Sequence, residues 1–345
     1  MRKYLLPENG TFYKANLHCH STVSDGLLTP EEIKEGYLAH GYSVVAYTDH
    51  DIMIDHSDLA DERFLPMRGF EVEINGGPHG AEFCFRKTAH VCFVALDPSV
   101  ERQVCWHRSK YLFANAENYR SQAKFDETLP DYERQYTPEC ISDMMQKGRD
   151  AGFFVTYNHP RWSMETRDQY IRYNGMHAME ICNYSCWEAG YEDYCPSVYD
   201  EMLQDGKRIF CTANDDNHNV LGEGDPDKYG HDSFGGFNMI KAERLDYSSI
   251  GEALRKGHFY ASMGPEIYDL YVENDRVYIT TSPAARITMN TGVRSVKRVW
   301  ASNGELLTEA SFPLWDNLGY FRLTVMDEHG RCANTQAYFM DELKA

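Results

Sequence analysis

Six apolar, strand-forming runs in this chain are each tied to a His, Asp or Glu, mostly at the C-terminal end of the run. That repetition limits the fold more than any other feature. Asn16 to Gly26 opens the series with His18, Cys19 and His20, followed by Ser24, Asp25 and Gly26. In an extended strand, residues two apart share a face, so His18 and His20 can grip one ion while Cys19 turns into the core. Gly26 gives the backbone freedom for an unusual turn after Asp25. Ser43 to Tyr47 delivers Thr48, Asp49, His50 and Asp51. Gly69 to Ile74 carries Glu71 and Glu73, and Ala89 to Leu96 begins with His90. Phe153 to Tyr157 empties into Asn158, His159, Pro160 and Arg161, and Arg208 to Ala213 ends in Asp216 and His218.

Helical signals fall between these runs. Thr29, Pro30 and Glu32 read as N-cap, N1 and capping-box partner of a helix that stops near Gly41. Thr137 and Pro138 open a second helix ending near Gly152, and Val198 to Gln204 and Ile250 to Gly257 are two more. Strand, helix and apolar strand in succession are the mark of a parallel α/β sheet. Ligands on so many strand ends favour a closed barrel, whose site lies at one rim, over an open doubly wound sheet with one switch point. Residues 98 to 138 read as helix plus an irregular insertion over that rim. After Gly264 and Pro265 short alternating runs take over, which reads as a small all-β sandwich. The expected division is 1–263 and 264–345.

The candidate metal ligands are His18, His20, Asp25, His50, Glu71, His90, His159, Asp216 and His218. Any one of them has an ordinary alternative: a His before Pro is a common loop residue, and an acid at a strand end is a common helix cap. Placed together at matching strand ends, they point to a polynuclear site. Imidazoles mixed with carboxylates suit zinc, manganese or iron over calcium or magnesium.

These motifs resemble the polymerase and histidinol phosphatase (PHP) superfamily. The match runs through His18 and His20, Ser24 to Gly26, Thr48 to His50, Gly69 to Glu71, His90, Asn158 to Pro160, and Asp216 with His218, and it covers about residues 12 to 262. The resemblance implies a distorted seven-stranded (β/α) barrel and a three-metal site. By motif, one ion takes His18, His20, Glu71 and Asp216, a second takes the bridging Glu71, His90 and His159, and the third takes Asp25, His50 and His218. Asp49 and Asp51 are expected to orient imidazoles. Two to three such ions would lower the pKa of bound water to near 7, making a bridging hydroxide available to attack phosphorus. Arg161 is a candidate phosphate contact, and His231 a candidate proton donor to the leaving group.

Composition narrows the partners. Acids outnumber bases 53 to 34 across the 345 residues, a net charge of −19, and are spread along the chain. That balance argues against long nucleic acid, which needs a basic footprint. No apolar run approaches a membrane span, and no signal peptide is evident. The ten cysteines read as reduced thiols and, with the missing leader, suggest a cytoplasmic protein. The expected activity is metal-dependent hydrolysis of a small phosphorylated molecule. A nuclease or nucleotide phosphatase of the same chemistry is the alternative. Further behind come an amidohydrolase, which would call for a strand-end lysine, and a non-catalytic module working through its β tail.

Overall fold

Alternation of apolar and polar residues along the strands decides which face carries chemistry and which carries core. The computed structural model describes residues 2–77, 83–220 and 227–344. In chain order the first strands are β1 (Lys3–Tyr4), β2 (Thr11–Asn16), β3 (Tyr42–Tyr47), β4 (Leu65–Asn75), β5 (Thr88–Ala95), β6 (Phe153–Tyr157), β7 (Ala178–Asn183), β8 (Phe210–Asn214), β9 (Phe237–Ala242) and β10 (Phe259–Ser262). The C-terminal part follows with β11 (Ile267–Glu273), β12 (Arg276–Ala284), β13 (Arg286–Thr291), β14 (Lys297–Trp300), β15 (Leu307–Pro313), β16 (Tyr320–Met326), β17 (Cys332–Asn334) and β18 (Tyr338–Phe339), and ends in a short helix, Met340–Lys344, which the all-β expectation did not include. The result is a mixed α/β fold with one large sheet, ordered β14-β13-β16-β17-β10-β9-β2-β3-β4-β5-β6-β7-β8, with β18 beside β16. A second sheet is ordered β1-β11-β12-β15.

The sheet is not parallel throughout. β2, β3 and β4 run parallel, as do β6, β7 and β8, but β5 is antiparallel to both β4 and β6. Chain reversal between β4 and β5 therefore puts the beginning of β5, with His90, where its neighbours present their ends. β9 lies antiparallel between β2 and β10. It was not expected, because Asn238 and Lys241 interrupt its apolar pattern. Those interruptions have uses: Asn238 exchanges two hydrogen bonds with the main chain of Ala213 on β8, at 3.1 and 2.8 Å. Beyond the strand ends, Cys19 and Asn217 form a parallel bridge, so the segments after β2 and β8 meet at the rim.

Along β4, Phe70, Val72 and Ile74 face a core shared with Phe93, Phe153 and Val155, while Glu71 points the other way. The Phe70 and Phe93 rings stack at 4.9 Å. Helix Pro138–Asp150 covers this face with Ile141, Met144 and Met145, and approaches closely because Gly148 meets the Phe93 ring without a side chain. On the opposite face Val44, Ala46, Met67, Val94 and Phe154 pack with Ile250, Ala253 and Leu254 of helix Tyr247–Lys256. Helix Pro30–Ala39 carries the expected capping box at Thr29 and Glu32. Residues 98 to 137 are mostly irregular, with a short α-helix, Ala116–Tyr119, running into a 3-10 turn, Arg120–Gln122, and pack Trp106, Leu112 and Ala116 against Val23 and Ile52 beside the rim.

The C-terminal strands are joined to the rest by hydrogen bonds rather than by a linker alone. β17 pairs with β10, and the N-terminal β1 pairs with β11. The buried Gln336 amide accepts from the Cys211 N–H at 2.7 Å and donates to the carbonyls of Cys211 and Phe259, both at 3.1 Å. Arg322 reaches Asp200 with two bonds of 2.7 and 2.6 Å. Removing the Gln336 amide leaves buried main-chain groups without partners. Gln336→Ala is therefore expected to lower unfolding free energy by about 1–3 kcal/mol, read from urea denaturation with an unchanged m-value.

Candidate metal centre

The side chains of the centre reach the rim by local rules. β2 stops at Asn16, and the residues beyond it pair with the segment after β8: the His20 N–H donates to the Asn217 carbonyl at 3.1 Å, and the Asp216 N–H to the His18 carbonyl at 3.0 Å. That pairing sets His18 and His20 beside Asp216 and keeps Cys19 buried. The two histidines thus act from beyond the strand end, not from within it. Asp216 (φ 54) and Asp51 (φ 61) adopt the left-handed conformation that Asp tolerates better than most residues. His50 bridges to Glu71 across the rim, and His90 stands opposite Glu73.

Glu71 is the hub. Its Oε1 lies 3.2 Å from His18 Nε2, 3.2 Å from His90 Nδ1 and 3.4 Å from His159 Nε2. Its Oε2 lies 3.3 Å from His50 Nδ1 and 3.5 Å from His20 Nε2. Asp216 Oδ1 faces His18 Nε2 at 3.1 Å and His20 Nε2 at 3.0 Å, and those two nitrogens are 3.1 Å apart. Asp25 closes the other side, with Oδ1 3.6 Å from His20 Nδ1 and Oδ2 3.8 and 3.5 Å from His50 and His218 Nε2. Glu73 also lines the space but bonds Asn75 instead of an imidazole.

Three groups have potential ligand atoms within 4.8 Å of one another: His18, His20, Glu71 and Asp216; His20, Asp25, His50 and His218; and His50, Glu71 and His90. The first is the set implied for one ion. The second adds His20 to the trio implied for another. In the third, His50 stands where His159 was implied, while His159 lies between Glu71 and Asp216, 3.7 Å from Asp216 Oδ2. The donor set fits divalent ions. Two imidazole nitrogens on one tetrahedral ion stand roughly 3.3 Å apart, given metal–nitrogen distances of about 2.0–2.1 Å. Among the described residues, both ring nitrogens of His90, Nδ1 of His20 and of His50, and Asp216 Oδ1 are buried without a hydrogen bond. Such orphaned donors and acceptors call for a partner.

No family model matches the chain. Over 49 residues (14% of this chain and 18% of the relative) it is 47% identical to a 5'-3' exoribonuclease from Haemophilus influenzae. Over 88 residues (24% and 28%) it is 33% identical to a 3',5'-nucleoside bisphosphate phosphatase from Chromobacterium violaceum. The chain thus spans less than a third of the length of either relative. Among solved structures, it is similar across 94% of both chains, at 14% identity and a TM-score of 0.45, to a Bacteroides vulgatus two-domain protein containing a predicted PHP-like metal-dependent phosphoesterase.

The rim rests on a layer of buried amides and one further acid. Glu180 Oε1 lies 2.9 Å from His18 Nδ1 and accepts from Asn214 Nδ2 at 2.9 Å, while its Oε2 accepts from the His159 N–H at 3.0 Å and Asn183 Nδ2 at 2.9 Å. Asn183 also donates to Asp216, and Asn158 to Glu71 at 2.6 Å. Sequence reasoning passed over Glu180, although an acid inside the apolar run of β7 was a signal, since a buried carboxylate needs partners. The expected role of Asp49 and Asp51 is corrected. Asp49 accepts from both the N–H and the hydroxyl of Ser21 and of Ser24, tying down the loop to Asp25. Asp51 pairs with Arg134 at 2.5 Å.

A cavity of about 810 Å³ opens over the ligands and is lined also by Phe113, Trp162, His231 and Asp232. His231 therefore faces the space. Arg161 is not among the described lining residues; its N–H donates to Asp193 at 3.0 Å.

Burial alone pushes the imidazoles toward neutrality, but the carboxylates outweigh it at three of them. His20 is raised to about 10 by Asp216, Glu71 and Asp25, His159 to about 9 by Glu71 and Asp216, and His18 well above its usual value. His50 goes the other way, to about 3, through burial and the neighbouring His20 and His90. Without ions, then, protons neutralise the acids; an ion must displace them. Loading a divalent ion is expected to release protons, and affinity to rise with pH until those imidazoles are free of protons, measurable as pH change in weak buffer during titration. Glu180→Gln, which removes the charge behind His18, is expected to weaken metal affinity by about 10- to 100-fold, measured by competition with a chelator dye.

Proposed function

We propose that this protein is a hydrolase that cleaves a phosphate ester of a small molecule with the help of two to three divalent transition-metal ions. One observation carries the reading: six imidazoles and three carboxylates meet on one rim, with Glu71 in contact with five of the imidazoles. His18, His20, Glu71 and Asp216 would hold one ion, Glu71, His90 and His159 a second, and Asp25, His50 and His218 a third. Zinc, manganese and iron suit this mixed set. Bound there, such ions supply Lewis acidity and water ionised near neutral pH. Three divalent ions against three carboxylates leave a cationic floor, which suits a phosphate dianion better than a neutral amide.

The chain's own residues would do the rest. His231 stands in the cavity wall and is our candidate to protonate the leaving oxygen. Arg161, which does not line the cavity, has no part in this reading. Trp162 packs edge-on against His90 and His159, at 5.1 and 4.9 Å between ring centres, and would keep water from that flank.

We read the first unit, 1–263, as a distorted (β/α)7 barrel; the Cys19–Asn217 bridge supports closure between the segments after β2 and β8. Residues 264–345 would be an all-β accessory domain. Ten unpaired cysteines support a cytoplasmic setting, and no described helix is long and apolar enough to cross a membrane.

A second reading, a nucleotide phosphatase or nuclease acting on nucleotides or short oligonucleotides, is favoured by the names of the two relatives. An amidohydrolase is less favoured, since no lysine lines the cavity among the described residues. The test is phosphate release by metal-loaded protein from sugar phosphates, nucleotides and short oligonucleotides, with amides alongside. We expect His20→Ala and Asp216→Ala each to lower kcat/KM by at least about 1000-fold, a barrier increase of roughly 4 kcal/mol. Turnover that survives in both variants removes the reading.

A further inference from the structure

The cavity above the metal ligands has an uneven charge. Seven carboxylates line it, while Arg134 is the sole lysine or arginine among the described lining residues. Arg134 is delivered by the segment between β5 and helix Pro138–Asp150, not by a strand-end motif, and that segment also holds it in place. Its guanidinium lies over the Tyr111 ring at 4.2 Å, and the Tyr111 hydroxyl accepts the Arg134 N–H at 2.9 Å. Nη1 pairs with Asp51 at 2.5 Å and donates to the Glu73 carbonyl at 3.0 Å. Gln103, from the same segment, donates to the Asp51 carbonyl at 2.9 Å. Both anchors adjoin the metal ligands: Asp51 follows His50, and Glu73 pairs across the strands with His90.

An arginine has five N–H donors. Here Nη1 faces Asp51 and the Glu73 carbonyl, Nε is buried without a hydrogen bond, and Nη2, which is not fully enclosed, makes none among the described residues; the side chain is only 5% exposed. Leaving donors of a buried cation unmatched is costly unless an acceptor arrives. Apart from Asp51, which Arg134 itself holds, the carboxylates around the cavity would repel an anion. We propose that Arg134 binds an anionic oxygen of the bound substrate, with Asp51 and Tyr111 as positioning residues that fix the plane of the guanidinium. The nature of the substrate rests on the phosphoesterase reading; the oxyanion site itself does not.

The experiment uses the metal-loaded full chain. Inorganic phosphate binding is followed by calorimetry, and KM and kcat are measured on phosphate esters with and without a second anionic group. Arg134→Lys keeps the charge but loses the planar fork. It is expected to weaken phosphate binding, or to raise KM, by about tenfold or more, with kcat within about threefold and metal content unchanged. A loss on phosphate and on singly anionic esters puts the contact at the reacting group; a loss confined to esters with a second anion puts it farther out. The pair Asp51→Asn with Arg134→Gln keeps the shape of the buried contact without its charges, and should stay impaired. Wild-type phosphate affinity and KM on every ester in Arg134→Lys, or restoration in the neutral pair, overturns the proposal. If the wild type hydrolyses no ester yet binds phosphate through Arg134, the phosphoesterase reading falls and this site stands. Turnover that ignores Arg134 gives the reverse.

Discussion

A carboxylate buried among five imidazoles is the constraint around which the rim is arranged. Glu71 is about 1% exposed. Buried charge is tolerated only when it is paired and hydrogen-bonded, and the penalty for leaving one lone pair idle is of the order of 1–3 kcal/mol. Asn158, the histidines and the layer of Glu180, Asn183 and Asn214 meet that demand together. The same layer explains why the imidazoles cannot turn freely: His18 is gripped at Nδ1 by Glu180, so Nε2 is left to face Glu71 and Asp216. Orientation of a ligand through its second nitrogen is a common way to tune a metal site.

Strand parity and strand direction carry this arrangement outward into the fold. Glu71 can face the imidazoles only because Phe70 and Val72 face the core. A one-residue slip of β4 would exchange acid for phenyl, so the stacking of Phe70 on Phe93 is also what holds the register of the site. The reversal of β5 matters equally. It lets a histidine at the start of a strand join ligands that lie at the ends of others.

Much of this was legible before any coordinates. The His18 and His20 pair, the acids after apolar runs, and the capped helix at Thr29 are local patterns with period two or a fixed cap spacing. The direction of β5 was not legible, because an apolar run reads the same in either direction; His90 at its beginning was the one hint. β9 was hidden because Asn238 and Lys241 dilute its pattern, and their value lies in contacts with Ala213 and with the Phe12 ring, remote in sequence. β13, β15 and β17 were not read as separate strands: β15 alternates only weakly, and β17 is three residues long. Glu180 and Arg134 belong to a third class. Their roles depend on which residues surround them, and one sequence carries no record of that.

The division of labour between rim and insertion follows from these classes. Strand ends are fixed by the sheet and can hold ions to within fractions of an ångström, which metal coordination requires. They are poorly placed to vary what sits above the ions. The irregular segment from 98 to 137 is free of ladder hydrogen bonds, yet Gln103 and Arg134, the latter braced by Tyr111, anchor it to Asp51 and Glu73, each one or two residues from a candidate metal ligand. A rigid floor and a separately anchored wall let the cation-binding chemistry stay constant while the wall sets what is admitted. On the proposed function, in a chain with 19 excess acids, the charge an incoming anion meets would be decided locally, by ions and one guanidinium, rather than by the surface as a whole.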